Sequence, residues 1–267
     1  MVPLMLMVLV FGGDWQDDFK LDVVQFEDFS DGMSSCFVLM DLKRETTARF
    51  NESRCAQQLA PCSTFKIFNA LAALDAEVVR DADTSFRWDG KQKWNKNWER
   101  DHSLATAMKY SVVWYYQEVA RRIGAEQMQA CLDRVGYGNR DISGGIDRFW
   151  LGSSLKISAN EQVEFLANVY RNDLPFSQHA LDTTRNILAL YEHDGSRLSG
   201  KTGSGWWDGG YQLGWFVGHL ITAEGGEYVF AYNMTGKGAS GVRAKAQVLA
   251  LLDALGLGQF QTVRAVR

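Results

Sequence analysis

The strand-prone stretches of this chain sit at its two ends, and helix-like sequence fills the space between them. Residues 35–42 (SCFVLMDL) are apolar and β-prone, Arg44-Glu45-Thr46 reads as a turn, and residues 47–51 read as the returning strand of a hairpin. Near the other end, residues 199–204, 212–220 and 228–234 read as three strands separated by glycine-rich turns, and residues 240–255 as a closing helix. Residues 64–79 are apolar on most faces, which predicts a buried helix. A loop rich in Trp, Lys, Asn and Asp follows over 84–97. Further helices are predicted over 103–110, 112–123, 125–135, 159–170 and 180–190, with Gly124 and Gly136 as stops. Strands at both ends can join in one antiparallel sheet, and the middle helices then make a second lobe with a cleft between the two. The expected class is α/β (α+β): an antiparallel sheet flanked by helices plus an all-helical lobe. We place a single domain over 14–267, with the sheet lobe drawn from about 18–60 and 190–267 and the helical lobe from about 64–189.

Bulk properties narrow the function classes. A chain of 267 residues with 46% hydrophobic and 22% charged residues can bury a large core. A net charge of −4 with no run of like charge gives no surface for nucleic acid. No stretch reaches the roughly 18–20 apolar residues needed to span a bilayer, so no stable membrane partner is expected. Residues 1–13 are uncharged and mostly apolar, of the length of a signal-peptide core but without a basic start. They read as a signal remnant or truncated start, the alternative being an N-terminal strand or tail, and they suggest a periplasmic or secreted bacterial protein. Cys55 and Cys62 flank a turn-like segment ending in Pro61; a disulfide between them would pin the approach to Ser63 in an oxidising compartment. Cys36 and Cys131 read as buried thiols. There is no C-x-x-C, and His102, His179, His193 and His219 fall in no ligand spacing, so no metal site is expected.

The stretch with chemistry in it is Ser63-Thr64-Phe65-Lys66, at the head of the first predicted helix. Residues three apart share a helix face, so the Lys66 amine lies one turn from the Ser63 oxygen. A serine hydroxyl is a weak nucleophile and needs a base within hydrogen-bond reach, which this spacing can supply. The pattern alone is common: Ser153-Ser154-Leu155-Lys156 repeats it. A serine at Ser63 could equally cap the helix. Its company decides. Ser111-Val112-Val113, Tyr137-Gly138-Asn139, Phe149-Trp150-Leu151 and Lys201-Thr202-Gly203 follow in order, with Arg243 42 residues after Lys201.

This series resembles the class D (oxacillinase-type) serine β-lactamases, a branch of the penicillin-recognising transpeptidase-like group, over nearly the whole chain from about Asp18. The resemblance implies a β-lactamase/transpeptidase-like fold and hydrolysis of the β-lactam amide bond through a serine acyl-enzyme. It implies Ser63 as nucleophile and Lys66, N-carboxylated by CO2 or bicarbonate, as general base for both half-reactions, with no other bound cofactor. Burial favours the neutral amine that such a reaction requires. Phe65, Val113, Trp150 and Leu151 would form the apolar wall, with the Trp150 indole N–H turned to the modified lysine. Ser111, beside Lys201, would relay a proton to the leaving nitrogen. The N–H groups of Ser63 and Ser204 would form the oxyanion hole. Thr202, Gly203 and Arg243 would hold the substrate and its carboxylate, Arg243 through a planar fork suited to it. Tyr137-Gly138-Asn139 would shape the cleft floor. Phe68 departs from the proline of many family members, and the aromatic segment from Ser204 to Gly210 borders the expected substrate channel. A β-lactam sensor or a penicillin-binding protein that deacylates slowly is the alternative. The expected partner is a small-molecule β-lactam, and the chain is expected as a monomer or homodimer.

Overall fold

Ser34–Asp41 (β1) and Thr46–Phe50 (β2) form the predicted hairpin in the computed structural model, which describes residues 26–260. The reading of residues 1–13 lies outside the described residues. After β2 comes a one-turn helix, Glu52–Cys55 (α1), then a 3₁₀ turn over Cys62–Phe65 that runs into Lys66–Asp75 (α2). The helical region continues with the short strands Ser85–Phe86 (β3) and His102–Ser103 (β4), which pair with each other. Next come Leu104–Lys109 (α3), Val113–Ile123 (α4), Ala125–Val135 (α5), Ala159–Arg171 (α6) and Gln178–Ile187 (α7). The chain returns to the sheet in Ala189–His193 (β5), Ser196–Trp207 (β6), Gly210–Ile221 (β7) and Glu227–Thr235 (β8), and closes with Gly241–Ala254 (α8).

Local chemistry sets the helix ends. Ser158 accepts from the Glu161 N–H while Glu161 accepts from the Ser158 N–H, a capping box that starts α6. Ser103 and Thr106 make the same exchange at α3. Gly136 ends α5 with φ at 70°, a left-handed position where glycine carries no steric penalty.

The six long strands form one antiparallel sheet in the order β2-β1-β8-β7-β6-β5, so the two ends of the chain meet at the β1–β8 pairing. Side chains alternate across it. Phe37, Leu39, Phe216, Phe230 and Tyr232 face α8, while Cys36, Val38, Trp215, Val217 and Ala231 face the core shared with α2, α4 and α6. β5 covers only the start of β6, up to Ser199; from Gly200 onward that side of β6 has no strand partner and lies against the 3₁₀ turn that carries Ser63. This open half of β6 is one wall of the cleft.

Two expectations need correction. The helix predicted over 180–190 ends at Ile187, and Ala189–His193 is an edge strand. Its side chains are half-buried or exposed with no apolar alternation, so no strand pattern was visible in it. The Cys55–Cys62 disulfide is absent: all four cysteines are free thiols. The turn of α1 carries the Cys55 Sγ under the hairpin, 3.3 Å from the Phe50 carbonyl oxygen and 3.6 Å from that of Phe37. Cys62 instead opens the 3₁₀ turn and is buried near Lys66.

Candidate active site

Ser63 does not cap α2; it stands in the 3₁₀ turn before it, directly after Cys62, whose backbone is left-handed with φ at 49°. Such a conformation is costly for a residue with a Cβ and persists only where its surroundings enforce it. Here the Thr64 Oγ1 donates to the Pro61 carbonyl at 2.8 Å, and the buried Gln162 amide donates to that same Oγ1 at 2.8 Å. The turn is thereby fixed from α6, and Ser63 remains partly exposed while its neighbours Cys62 and Thr64 are buried.

Lys66 lies at the start of α2 with its Nζ 2.7 Å from the Ser63 Oγ. Its side chain is completely buried. Burial, and secondarily the charge of Lys201, holds its amine well below the usual lysine range, which favours the neutral form. The Tyr116 ring centroid lies 5.5 Å from the Nζ, and the Phe65 ring stacks on Trp150 at 5.5 Å. Trp150 is fully buried, and its Nε1–H has no acceptor. A buried donor without a partner is rare enough to need an explanation. Phe68 fills this aromatic cluster, stacked on Phe65 at 5.3 Å and against Tyr137 at 5.1 Å. Val113 and Leu151 are half-buried and pack against the same core.

A second serine–lysine pair completes the centre. Ser111 sits between α3 and α4 with φ at 53°, again left-handed. The Lys201 Nζ, on β6, donates to the Ser111 Oγ at 2.9 Å and to the Thr202 carbonyl at 2.9 Å. Burial first, and then the charge of Lys245, pushes Lys201 down to about 7. The two buried lysines therefore bring Ser63, Lys66, Ser111 and Lys201 into one electrostatic unit at the junction of the lobes.

The remaining predicted residues border this unit. A Cβ on Gly203 would come within 2.9 Å of the Pro61 carbonyl and 3.2 Å of Thr64, so only glycine lets β6 approach the nucleophile's turn this closely. Ser204 follows, and its Oγ accepts from the Gly241 N–H at 2.9 Å, tying β6 to the first turn of α8. Thr202 lies against the same Gly241. Arg243, in that first turn, is already engaged: its Nε donates to Asp31 at 2.9 Å, its Nη2 to the same oxygen, and its Nη1 to the Gly238 carbonyl. Asn139 spans the loop behind Trp150, donating to the Ser154 carbonyl and accepting from the Lys156 N–H, each at 2.9 Å. The second S-x-x-K is thus part of a loop clasp. Asp31 and Gln162 were not legible as site residues, nor were the left-handed backbones at Cys62 and Ser111; only Gln162, a polar residue on an apolar helix face, left a trace in the sequence.

His102 bonds to the Asn97 carbonyl and Thr106, and His219 to Glu227. Among the described residues no group of three or more His, Cys, Asp or Glu side chains could hold a metal ion, and no helix is long and apolar enough to cross a membrane.

Comparison with known proteins agrees with this geometry. The penicillin binding protein transpeptidase domain matches residues 35–252. The probable β-lactamase YbxI of Bacillus subtilis is 44% identical over 221 residues, covering 83% of this chain and 80% of the relative. The regulatory protein BlaR1 of Bacillus licheniformis is 36% identical over 240 residues, covering 88% of this chain but 40% of that longer protein. The crystal structure of a class D β-lactamase from Bacillus subtilis superposes with a TM-score of 0.83 at 41% identity, covering 88% of this chain and 97% of the other. By sequence and fold, the chain belongs to the class D serine β-lactamases.

Proposed function

We propose that the chain hydrolyses the β-lactam amide of penicillin-type antibiotics through an acyl-enzyme on Ser63, and so confers resistance. The observation that carries this is the 2.7 Å bond between the Ser63 Oγ and an Lys66 amine held neutral by burial. The Ser63 Oγ attacks the lactam carbonyl and gives up its proton at Lys66. The N–H groups of Ser63 and Ser204, on adjoining backbones, stabilise the oxyanion. Ser111 passes a proton to the leaving nitrogen and is recharged by Lys201, 2.9 Å away. Thr202 and Arg243 hold the substrate carboxylate. Once Lys66 has passed its proton back towards Lys201, water attacks the ester and gives its proton to Lys66, which returns it to the Ser63 Oγ as the ester bond breaks and the opened product leaves.

Lys66 is the residue that would carry a carboxyl group from CO2, and the surroundings fit one. The neutral amine is the form that adds CO2, and the Trp150 Nε1–H is buried without an acceptor in the aromatic cluster beside it. When present, that group supplies an anionic general base in a dry pocket. Lys66 would bear it and Trp150 would hold it.

The similarity to BlaR1 supports a second reading, a sensor that is acylated and stays so. Continuous turnover of a chromogenic cephalosporin separates the two: a single stoichiometric burst means a sensor. We place the protein in the periplasm or outside the bacterial cell, acting on a small-molecule substrate as a monomer or homodimer.

A further inference from the structure

A buried polar cluster lies apart from the cleft, where β1, β8 and α1 meet. Cys36 on β1 and Cys55 at the end of α1 are both fully buried. We propose that Cys36 and Cys55 form a disulfide when the chain folds under oxidising conditions, cross-linking β1 to the segment that leads to Ser63.

The geometry follows from the hairpin. The β1–β2 register pairs Phe37 with Phe50, so Asn51 continues opposite Cys36. Asn51 is left-handed, with φ at 59°, and turns the chain back into α1, where the Cys55 N–H reaches the Asn51 carbonyl at 3.0 Å. This one turn brings the Cys55 Sγ under β1, against the carbonyl of Phe37, the residue after Cys36. Both thiols are buried in the same core cluster, and Cys36 is the leading influence on the Cys55 thiol. The Cys36 Sγ also accepts from the Asn233 amide at 3.1 Å, and the Asn233 Oδ1 is held by Arg54 at 3.0 Å. The Arg54 guanidinium lies near both sulfurs, and its Nε is buried without a partner. Neither Cys62, beside Lys66, nor Cys131, beside Arg134, shares this cluster.

The reaction needs an external disulfide, RSSR, as oxidant. One cysteine thiolate attacks it and releases RS⁻; the second loses its proton and displaces the other RS⁻ from the mixed disulfide. Two protein thiols become one S–S bond, and RSSR becomes two RSH. In the closed fold, Cys36 and burial hold the Cys55 thiol far above its ordinary range, so the exchange occurs before α1 closes over the strand.

The test is a thiol count on the full chain, exported to the bacterial periplasm and, separately, refolded in a glutathione redox buffer. Denatured protein should leave two of its four cysteines open to a maleimide, lose two hydrogens in intact mass, and yield a linked Cys36–Cys55 peptide. The oxidised form should melt about 5–10 °C above the reduced form. Cys62→Ala and Cys131→Ala should keep the link; Cys36→Ser and Cys55→Ser should each abolish it. Four reactive thiols in both preparations, or a linked peptide joining any other pair, would overturn the proposal. Lactam turnover is not a readout here, so the two readings fail independently.

Discussion

Replacing Trp150 by phenylalanine tests the pocket around Lys66 more sharply than removing the lysine. The substitution keeps an aromatic ring against Phe65 and deletes only the Nε1–H donor and part of the indole. In the free protein that donor is buried and unpaired, a condition that costs about 1–3 kcal/mol. If Lys66 takes up CO2, the donor gains a charged acceptor and that cost is recovered. Bicarbonate should then stabilise the native chain by about 1–3 kcal/mol, or about 2–10 °C in melting temperature for a chain of this size. The Trp150→Phe variant should show little of this gain, because it has no donor to satisfy. Its smaller ring lowers stability on its own account, but that loss is common to both conditions and cancels in the difference. The assay is a thermal melt of both proteins at mildly alkaline pH, with and without added bicarbonate. Single-turnover kinetics should add a deacylation step slowed by about 10²–10³-fold with acylation less affected. Equal bicarbonate shifts in both proteins would refute the role given to the indole.

Three further outcomes are expected. Lys201 titrates near 7 in the folded chain against an unfolded lysine near 10.4, so the unfolded state holds the extra proton between these values and stability rises with pH across that window; Lys201→Met should remove up to about 1.4 kcal/mol per pH unit of that slope in urea titrations, and an unchanged slope would count against it. Gly203→Ala should force β6 off the turn holding Ser63, costing about 1–3 kcal/mol and most of the acylation rate, with the loss read by nitrocefin hydrolysis and denaturant titration. Arg243→Ala should raise KM for carboxylate-bearing β-lactams by about 10–100-fold with a smaller change in kcat, while a carboxyl-esterified analogue is unaffected; a parallel loss for the ester would show that the Asp31–Arg243 pair is structural only.

Much of the fold could be read because periodicity and capping agree. The strands β7 and β8 carry apolar residues on both faces, bounded by glycines, and α6 announces itself through Ser158 and Glu161. β5 could not be read, since an exposed edge strand has no buried face to leave a pattern. At the site, residue types and order picked out Ser63, Lys66, Ser111 and Lys201, and the structure joins them through two short bonds. What sequence could not supply was contact across the fold. Nearness along the chain suggested a Cys55–Cys62 bond that the structure lacks, because a single helical turn redirects the Cys55 side chain. Asp31 was invisible for the same reason: it reaches Arg243 across 212 positions of sequence.

The left-handed backbones at Cys62 and Ser111 also bear on how this molecule can change. Each sets the direction of a reactive hydroxyl at a torsional penalty of about 1–2 kcal/mol. A glycine at either place would relax the chain and leave the hydroxyl poorly aimed, or remove it. Selection for heat resistance and selection for drug destruction therefore pull these two residues in opposite directions, and thermal hardening has to come from parts of the molecule remote from the cleft.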